Sequence, residues 1–212
     1  MNKNEQFVIT INRELGSGGR TVGRKLAEKL GVPFYDKAVI NALEKKFNLS
    51  VEEIEKIKGR SYTWWGEFKR FWRDTDYSNL NFAGEVEDKS SYKPTSFDMF
   101  KAEEEILGGI ASTESCVVAG RCGFHAVRYH PNHLNIFLQA SMDFRVERVA
   151  RKQQMTSDEA RQTIEKIDKM RENYVKEYTG KSRYDTHNYQ LVITADGKTE
   201  DEIVELILKF IG

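Results

Sequence analysis

The chain has no net charge, almost no cysteine and no long apolar run, and each absence removes a class of protein. Thirty-three basic residues cancel 33 acidic ones over 212 positions, so no overall field draws the chain to DNA, RNA or an anionic membrane. No apolar stretch approaches the ~20 residues that span a bilayer. Met1 to Gln6 show no signal-peptide pattern. Two cysteines, Cys116 and Cys122, are too few for a disulfide scaffold and suit a reducing compartment. The expectation is a cytoplasmic protein of one ordinary domain, with a sizeable core. No internal repeat is visible.

What is present begins at residue 7. Phe7 to Ile11 reads as a buried strand, and Gly16, Gly18 and Gly19 follow within four positions. Val22, Leu26 and Leu30 then recur at helical spacing with Ala27 on their face, and Gly31 supplies a stop. A strand, a glycine loop and a helix start together make an anion site. Free amide donors and the helix dipole point at one spot, and glycine lets a phosphate approach the backbone.

The P-loop pattern is G-x-x-x-x-G-K-[ST], and here its lysine is missing. Two registers fit. In one, Gly19-Arg20-Thr21 stands for G-K-[ST], with Glu14 where the first glycine belongs. Arg20 then bridges phosphate oxygens and Thr21 reaches Mg²⁺. One residue earlier, Gly19 takes the lysine position and Arg20 the hydroxyl position. The first register is preferred because it keeps a hydroxyl next to the cation. A plain glycine turn is the bland alternative.

Strands and helices alternate along the rest of the chain. Val32 to Tyr35 reads as a second strand ending at Asp36, followed by a helix from Lys37 to Phe47 and a capping box at Ser50-Val51-Glu52-Glu53. Asp98 to Ser112 reads as a helix. Cys116 to Ala119 is a buried strand ending at Gly120-Arg121, and Leu134 to Leu138 another, ending at Gln139-Ala140-Ser141. A helix runs from Met142 to about Gln153. Thr156-Ser157-Asp158-Glu159 caps a long helix toward Tyr178, Leu191 to Thr194 is the last strand, and Thr199-Glu200-Asp201-Glu202 caps the last helix. Such alternation predicts an α/β fold, a parallel sheet covered by helices on both faces. Ligands then bind beyond the carboxyl ends of the strands. The glycine loop, Asp36, Arg121, Ala140 and Ala195 should gather on that rim.

These segments, in this order, resemble the cytidylate kinase-like family, a branch of the P-loop nucleoside monophosphate kinases. The motifs are ITINRELGSGGRTVGRKLAEKLG (9–31), PFYDKAVI (33–40), CVVAGRCGFHAV (116–127), NIFLQASMDFRVERVARK (135–152), IDKMRENYVKEYTG (167–180) and NYQLVITADGKTEDEIVELI (188–207). The resemblance implies a three-layer P-loop fold in one domain. Its core would be residues 1–36, 108–147 and 185–212, with an acceptor-binding insertion over about 37–107 and a lid over about 148–184. It implies ATP and Mg²⁺ as cofactors and transfer to a nucleoside monophosphate such as CMP or dCMP. Gly16, Ser17, Gly18, Gly19, Arg20 and Thr21 would hold the ATP phosphates. Asp36 would face the acceptor or Mg²⁺, and Arg121 would contact the monophosphate. Arg148 and Arg151 match lid-entry positions, Asp168 and Arg171 the spaced pair of the lid helix, and Ala195 to Lys198 the adenine edge. Cys122 stands where cytidylate kinases carry an aspartate, which puts cytosine recognition in doubt. Residues 60–98 match that family poorly. Other outcomes are a kinase for a different small-molecule acceptor, or a nucleotide-binding regulator with little catalysis.

Phosphoryl transfer needs aligned oxygens, a cation across the phosphates and positive charge around the moving group. Loop amides supply the fixed part, and Arg121, Arg148, Arg151 and Arg171 the mobile part, because guanidinium grips two phosphate oxygens at once. The phosphate acceptor is already ionised near neutral pH, so Asp36 is expected to position rather than act as a base. Each residue has a bland alternative. Arg145, Arg148 and Arg151 lie on a charged helix, where solvated surface explains at least half of them. Asp168 and Arg171 are spaced as an ordinary i,i+3 pair. Cys122 reads as a small filler, and His125, His130 and His133 lack the pattern of a zinc site. Trp64, Trp65, Phe68, Phe71 and Trp72 recur at helical spacing. They read as an amphipathic helix packing on the core or on a second subunit, a homodimer contact through segment 62–97. Asp74, Asp76, Glu85, Glu87 and Asp88 argue against nucleic acid there.

Overall fold

The computed structural model describes residues 1–36, 96–120 and 122–212. The helix expected over 37–47, the capping box at Ser50, the aromatic segment and Arg121 lie outside the described residues. The chain divides into two compact units, Met1–Asn48 with Glu103–Gly212, and Leu49–Ala102.

Among the described residues the sheet has five strands, all parallel: β1 (Val8–Arg13), β2 (Phe34–Tyr35), β3 (Cys116–Ala119), β4 (His133–Gln139) and β5 (Leu191–Thr194), in the order β2-β3-β1-β4-β5. Parallel strands need crossovers, and helices provide them: α1 (Gly19–Leu30), α2 (Ser96–Ala111), the short α3 (Gly123–Ala126), α4 (Met142–Gln153), α5 (Ser157–Thr179) and α6 (Glu200–Ile211). β1 is central, with Ile9 opposite both Val117 and Leu134. Helices cover the sheet, which is why Val8 to Asn12 are all buried, without alternation, the polar Thr10 and Asn12 included. The main core joins β1 and β4 to Val22 and Leu26 of α1 and to Ile203, Val204 and Ile207 of α6.

The helix ends follow local chemistry. Gly31 closes α1 in the left-handed conformation at φ 66°. Complete capping boxes open α5 (Thr156 with Glu159) and α6 (Thr199 with Glu202). α4 and α5 form a hairpin around Val146, Val149, Ala160 and Ile164, and Leu15 of the glycine loop packs on this cluster. Because every strand runs the same way, Arg13, Asp36, Gly120, Ala140 and Ala195 all lie at one rim, as the alternation predicts. β1 runs two residues further than its apolar pattern, to Arg13. Neither cysteine is in a disulfide, and both are buried. Among the described residues no helix is long and apolar enough to cross a membrane.

Candidate active site

The glycine loop joins β1 to α1 across Glu14 to Gly18. Gly16 and Gly18 both adopt φ +90°, a conformation that L side chains rarely take. A β-carbon on Gly16 would stand 2.9 Å from the Arg145 carbonyl oxygen, so the loop is pressed against α4. Ser17 turns back on the chain, donating its amide (3.3 Å) and its hydroxyl (2.9 Å) to the Glu14 carbonyl. Gly18 is the N-cap residue of α1 and offers no capping side chain; no acidic residue occupies the first turn. The amides of Gly19, Arg20 and Thr21 begin the helix and have no intrahelical acceptor. They face outward from a positive dipole end, the arrangement that holds an anion.

Asp168, halfway along α5, ties this loop to the arginines. Its carboxylate accepts the Leu15 amide at 3.0 Å, Arg145 Nη1 at 2.7 Å, Arg183 Nη1 at 3.3 Å and Arg171 Nη1 at 3.4 Å. Asp168, Arg145 and Arg183 are all buried. Arg145 is further held by the Ala140 carbonyl at 3.0 Å and stands 3.6 Å from Glu14. Glu14 in turn accepts the Ala140 amide at 3.0 Å. Arg183 donates to the backbone carbonyl of Arg13. A second chain of bonds fixes that segment: Asn12 donates to the Tyr189 hydroxyl at 3.0 Å, which donates to the Arg183 carbonyl at 2.7 Å. Burial pushes the Tyr189 phenol well above its ordinary value, so it stays a donor.

Arg13 completes the group from the end of β1. Burial, then the charges of Arg171 and Arg183, pull its pKa down to about 9, with Asp36 opposing. Arg171 is lowered too, by burial first and then by Arg183. The site holds more guanidinium charge than carboxylate, and the guanidiniums repel one another.

The residues expected from sequence are only partly brought together. Arg148 stands over Gly18, its Nη2 3.4 Å from where a β-carbon would lie, and pairs with Glu200. Arg171 is half-buried against Asp168. Arg20, expected above the loop in the lysine's place, instead turns sideways: its Nε meets Asp36 at 2.6 Å and its side chain is 62% exposed. Asp36 itself is buried at the end of β2. Arg151 is not part of the cluster; it is exposed on α4, 3.9 Å from Glu147. Arg145, read as helix surface, is buried, and Asp168 is far more than an i,i+3 partner. Arg13 and Arg183 carry no motif signal of their own, although Arg13 directly precedes the glycine loop. Cys122 is buried with φ 50°.

Among the described residues no group of three or more His, Cys, Asp or Glu side chains is arranged to hold a metal. Thr21 offers one hydroxyl, and Asp36 one carboxylate already held by Arg20. That donor set fits Mg²⁺ completed by phosphate oxygens and water rather than by a protein cage.

A model of the cytidylate kinase-like family matches residues 8–196. The chain belongs to that family. A cytidylate kinase of Methanobrevibacter smithii is 26% identical over 211 residues, covering 95% of this chain and 96% of that protein. An uncharacterized protein from Eubacterium ventriosum, known as a crystal structure, superposes with a TM-score of 0.65 at 23% identity, covering 97% of this chain and 98% of the other. Shikimate kinase from Bacteroides thetaiotaomicron has a TM-score of 0.51 at 17% identity over 98% and 99% of the two chains. A gluconokinase from Sinorhizobium meliloti has 0.50 at 18% over 97% and 91%. The fold is that of the P-loop kinases, and this family member is a kinase-type transferase with a nucleotide-binding core.

Proposed function

We propose that this chain transfers the terminal phosphoryl group of ATP to a nucleoside monophosphate, with CMP or dCMP as acceptor. The observation that carries the reading is the uncapped glycine start of α1 lying beside Arg13, Arg148, Arg171 and Arg183. Fixed amides and surplus guanidinium charge are what a triphosphate and its transition state require. The amides of Gly16, Gly18, Gly19 and Arg20 hold the donor phosphates. Arg148 and Arg171, with Arg121, neutralise the charge that spreads over the moving group. An acceptor phosphate oxygen forms the new bond to the γ-phosphorus as the bond to the ADP oxygen breaks. The acceptor is already ionised, so Asp36 positions through Arg20 and takes no proton. Mg²⁺, when bound, would supply neutralising charge for the phosphates, and Thr21 and Asp36 would be the residues to hold it. Residues 148–184 serve as the lid and about 37–107 as the acceptor-binding insertion. Segment 62–97 pairs two copies of the chain, and the protein works in the cytoplasm.

A second reading is favoured by Cys122. A buried thiol stands where cytidylate kinases carry an aspartate, so that carboxylate is missing for cytosine. The acceptor is then another small molecule, of the kind taken by the shikimate kinase and the gluconokinase among the structural neighbours. ADP release from Mg²⁺-ATP, measured with CMP, dCMP, UMP, AMP, GMP, shikimate, gluconate and no acceptor, decides. Stimulation by CMP or dCMP is expected. Stimulation by shikimate or gluconate alone overturns the nucleotide acceptor, and no stimulation by any of them overturns the assignment to these acceptors.

A further inference from the structure

The P-loop lysine has no counterpart on α1, yet the loop is not without a cation. Arg13 is the last residue of β1, immediately before the loop. Among the described residues its guanidinium makes no side-chain hydrogen bond or ion pair, in contrast to its neighbours. Arg20 is held by Asp36, Arg148 by Glu200, and Arg145, Arg171 and Arg183 by Asp168. A half-buried, unpaired guanidinium is costly unless something of opposite charge arrives.

Two glycines make room for this one side chain. At Gly19, the first helical residue, a β-carbon would meet Arg13 Cβ at 2.7 Å and Cγ at 2.9 Å. Those are the stiff, near-backbone atoms of Arg13, so no easy shift relieves the clash. At Gly120, the residue after β3, a β-carbon would strike the Arg13 guanidinium itself, and φ is +85°. The stem of Arg13 therefore fills the space that a side chain at position 19 would need, and its head reaches across to β3. Its backbone carbonyl is fixed by Arg183, and that bond holds the strand end in place.

We infer that Arg13 supplies, from the end of β1, the phosphate-binding charge that P-loops take from the lysine at the helix start. Gly19 and Gly120 are the clearances that let it do so. In this role Arg13 contacts the donor phosphates and is a catalytic residue, whereas Arg183 positions it. The inference rests on the phosphoryl-transfer reading for its catalytic part but not for its binding part.

Binding of Mg²⁺-ATP and of inorganic tripolyphosphate, by titration calorimetry on the full chain, separates the two. Arg13→Met is expected to weaken both by about 100-fold, the size of loss seen when one preorganised charge donor is removed. Arg13→Lys should retain part of the affinity. In the register that gives Gly19 the lysine position, the double variant Arg13→Ala/Gly19→Lys vacates the stem's space and puts the cation on the helix, so it should recover binding relative to Arg13→Ala. Arg13→Gln, which keeps the stem, serves if Arg13→Met does not fold, with thermal unfolding as the check. Wild-type affinity for both ligands in folded Arg13→Met or Arg13→Gln overturns the inference, as does a wild type that binds neither. If the wild type binds ATP and Arg13→Met does not, while no acceptor stimulates turnover, the kinase reading fails and Arg13 keeps its role.

Discussion

At the start of α5 the Thr156 hydroxyl accepts the Glu159 amide, and the Glu159 carboxylate reaches back to the Thr156 amide at 2.8 Å. α6 repeats the arrangement with Thr199 and Glu202, and adds Glu200 and Asp201 to its first turn. At the start of α1 the same three-dimensional problem is left open. Gly18 has no side chain to give, and no acid follows it. Capped ends satisfy their own donors, which stabilises the helix and removes any reason to bind an anion. The glycine end forgoes that stabilisation, and its donors stay available for phosphate. The arginines sort the same way. Arg151, on the solvent side of α4, meets Glu147 loosely, whereas Arg145 on the loop side is buried under three acceptors.

The contrast can be broken from the α5 side first. Asp168→Asn keeps an acceptor for the Leu15 amide but leaves Arg183 buried without its ion-pair partner and Arg145 with only the more distant Glu14. Denaturant unfolding should show a loss of about 3–5 kcal/mol. The next variant gives α1 the carboxylate its counterparts have. Gly18→Asp, compared with Gly18→Asn to subtract the shared backbone strain, sets a charge beside the nucleotide phosphates. At about 4 Å and an effective dielectric of about 20 that repulsion is about 4 kcal/mol, or about a thousandfold in Mg²⁺-ATP affinity. Stability should differ little between the two variants. Removing a cap at the other end of the comparison should do the reverse. Thr199→Ala is expected to lower stability by about 1 kcal/mol and leave nucleotide affinity unchanged.

The smallest effect is a pH dependence. Glu159 and Glu202 are held below their ordinary carboxylate value, by the Thr156 and Thr199 amides first and the hydroxyls second. A depressed carboxylate adds stability that is complete above its unfolded pKa, about 4.5, and is lost as pH falls through the folded value. The double variant Glu159→Gln/Glu202→Gln removes both titrating groups and should therefore show a flatter acid limb in a plot of stability against pH. An unchanged limb would mean that the boxes do not form in solution.

Much of this architecture is legible in the residues alone. The apolar strands, the Gly31 stop and the boxes at Thr156 and Thr199 are local signals, each fixed by chemistry within a few residues, and the elements fall where those signals put them. The short α3 and the turn over Thr186–Asn188 carry no comparable signal. The site is less legible, for a reason visible in Arg145, Arg148 and Arg151. They share a helix and a spacing, and the residues alone do not say which of them leaves the charged surface. Which of them turns inward depends on Asp168 and Glu200, which lie 23 and 52 residues away. Arg183 depends likewise on Tyr189 and on a strand end 170 residues earlier. Arg20 was expected over the loop because the motif puts its cation there. It turns to Asp36 because β2 ends alongside α1.

The crowding of position 19 against Arg13 also constrains how such a loop can change over generations. A lysine placed at 19 on its own collides with the arginine stem. An arginine shortened at 13 on its own leaves the phosphates without that charge. Each single step is worse than either endpoint, so the two forms of the loop are separated by a valley that only a paired replacement crosses. Lineages carrying the arginine-first form should keep small residues at 19 and 120 together with it, and lose all three features at once.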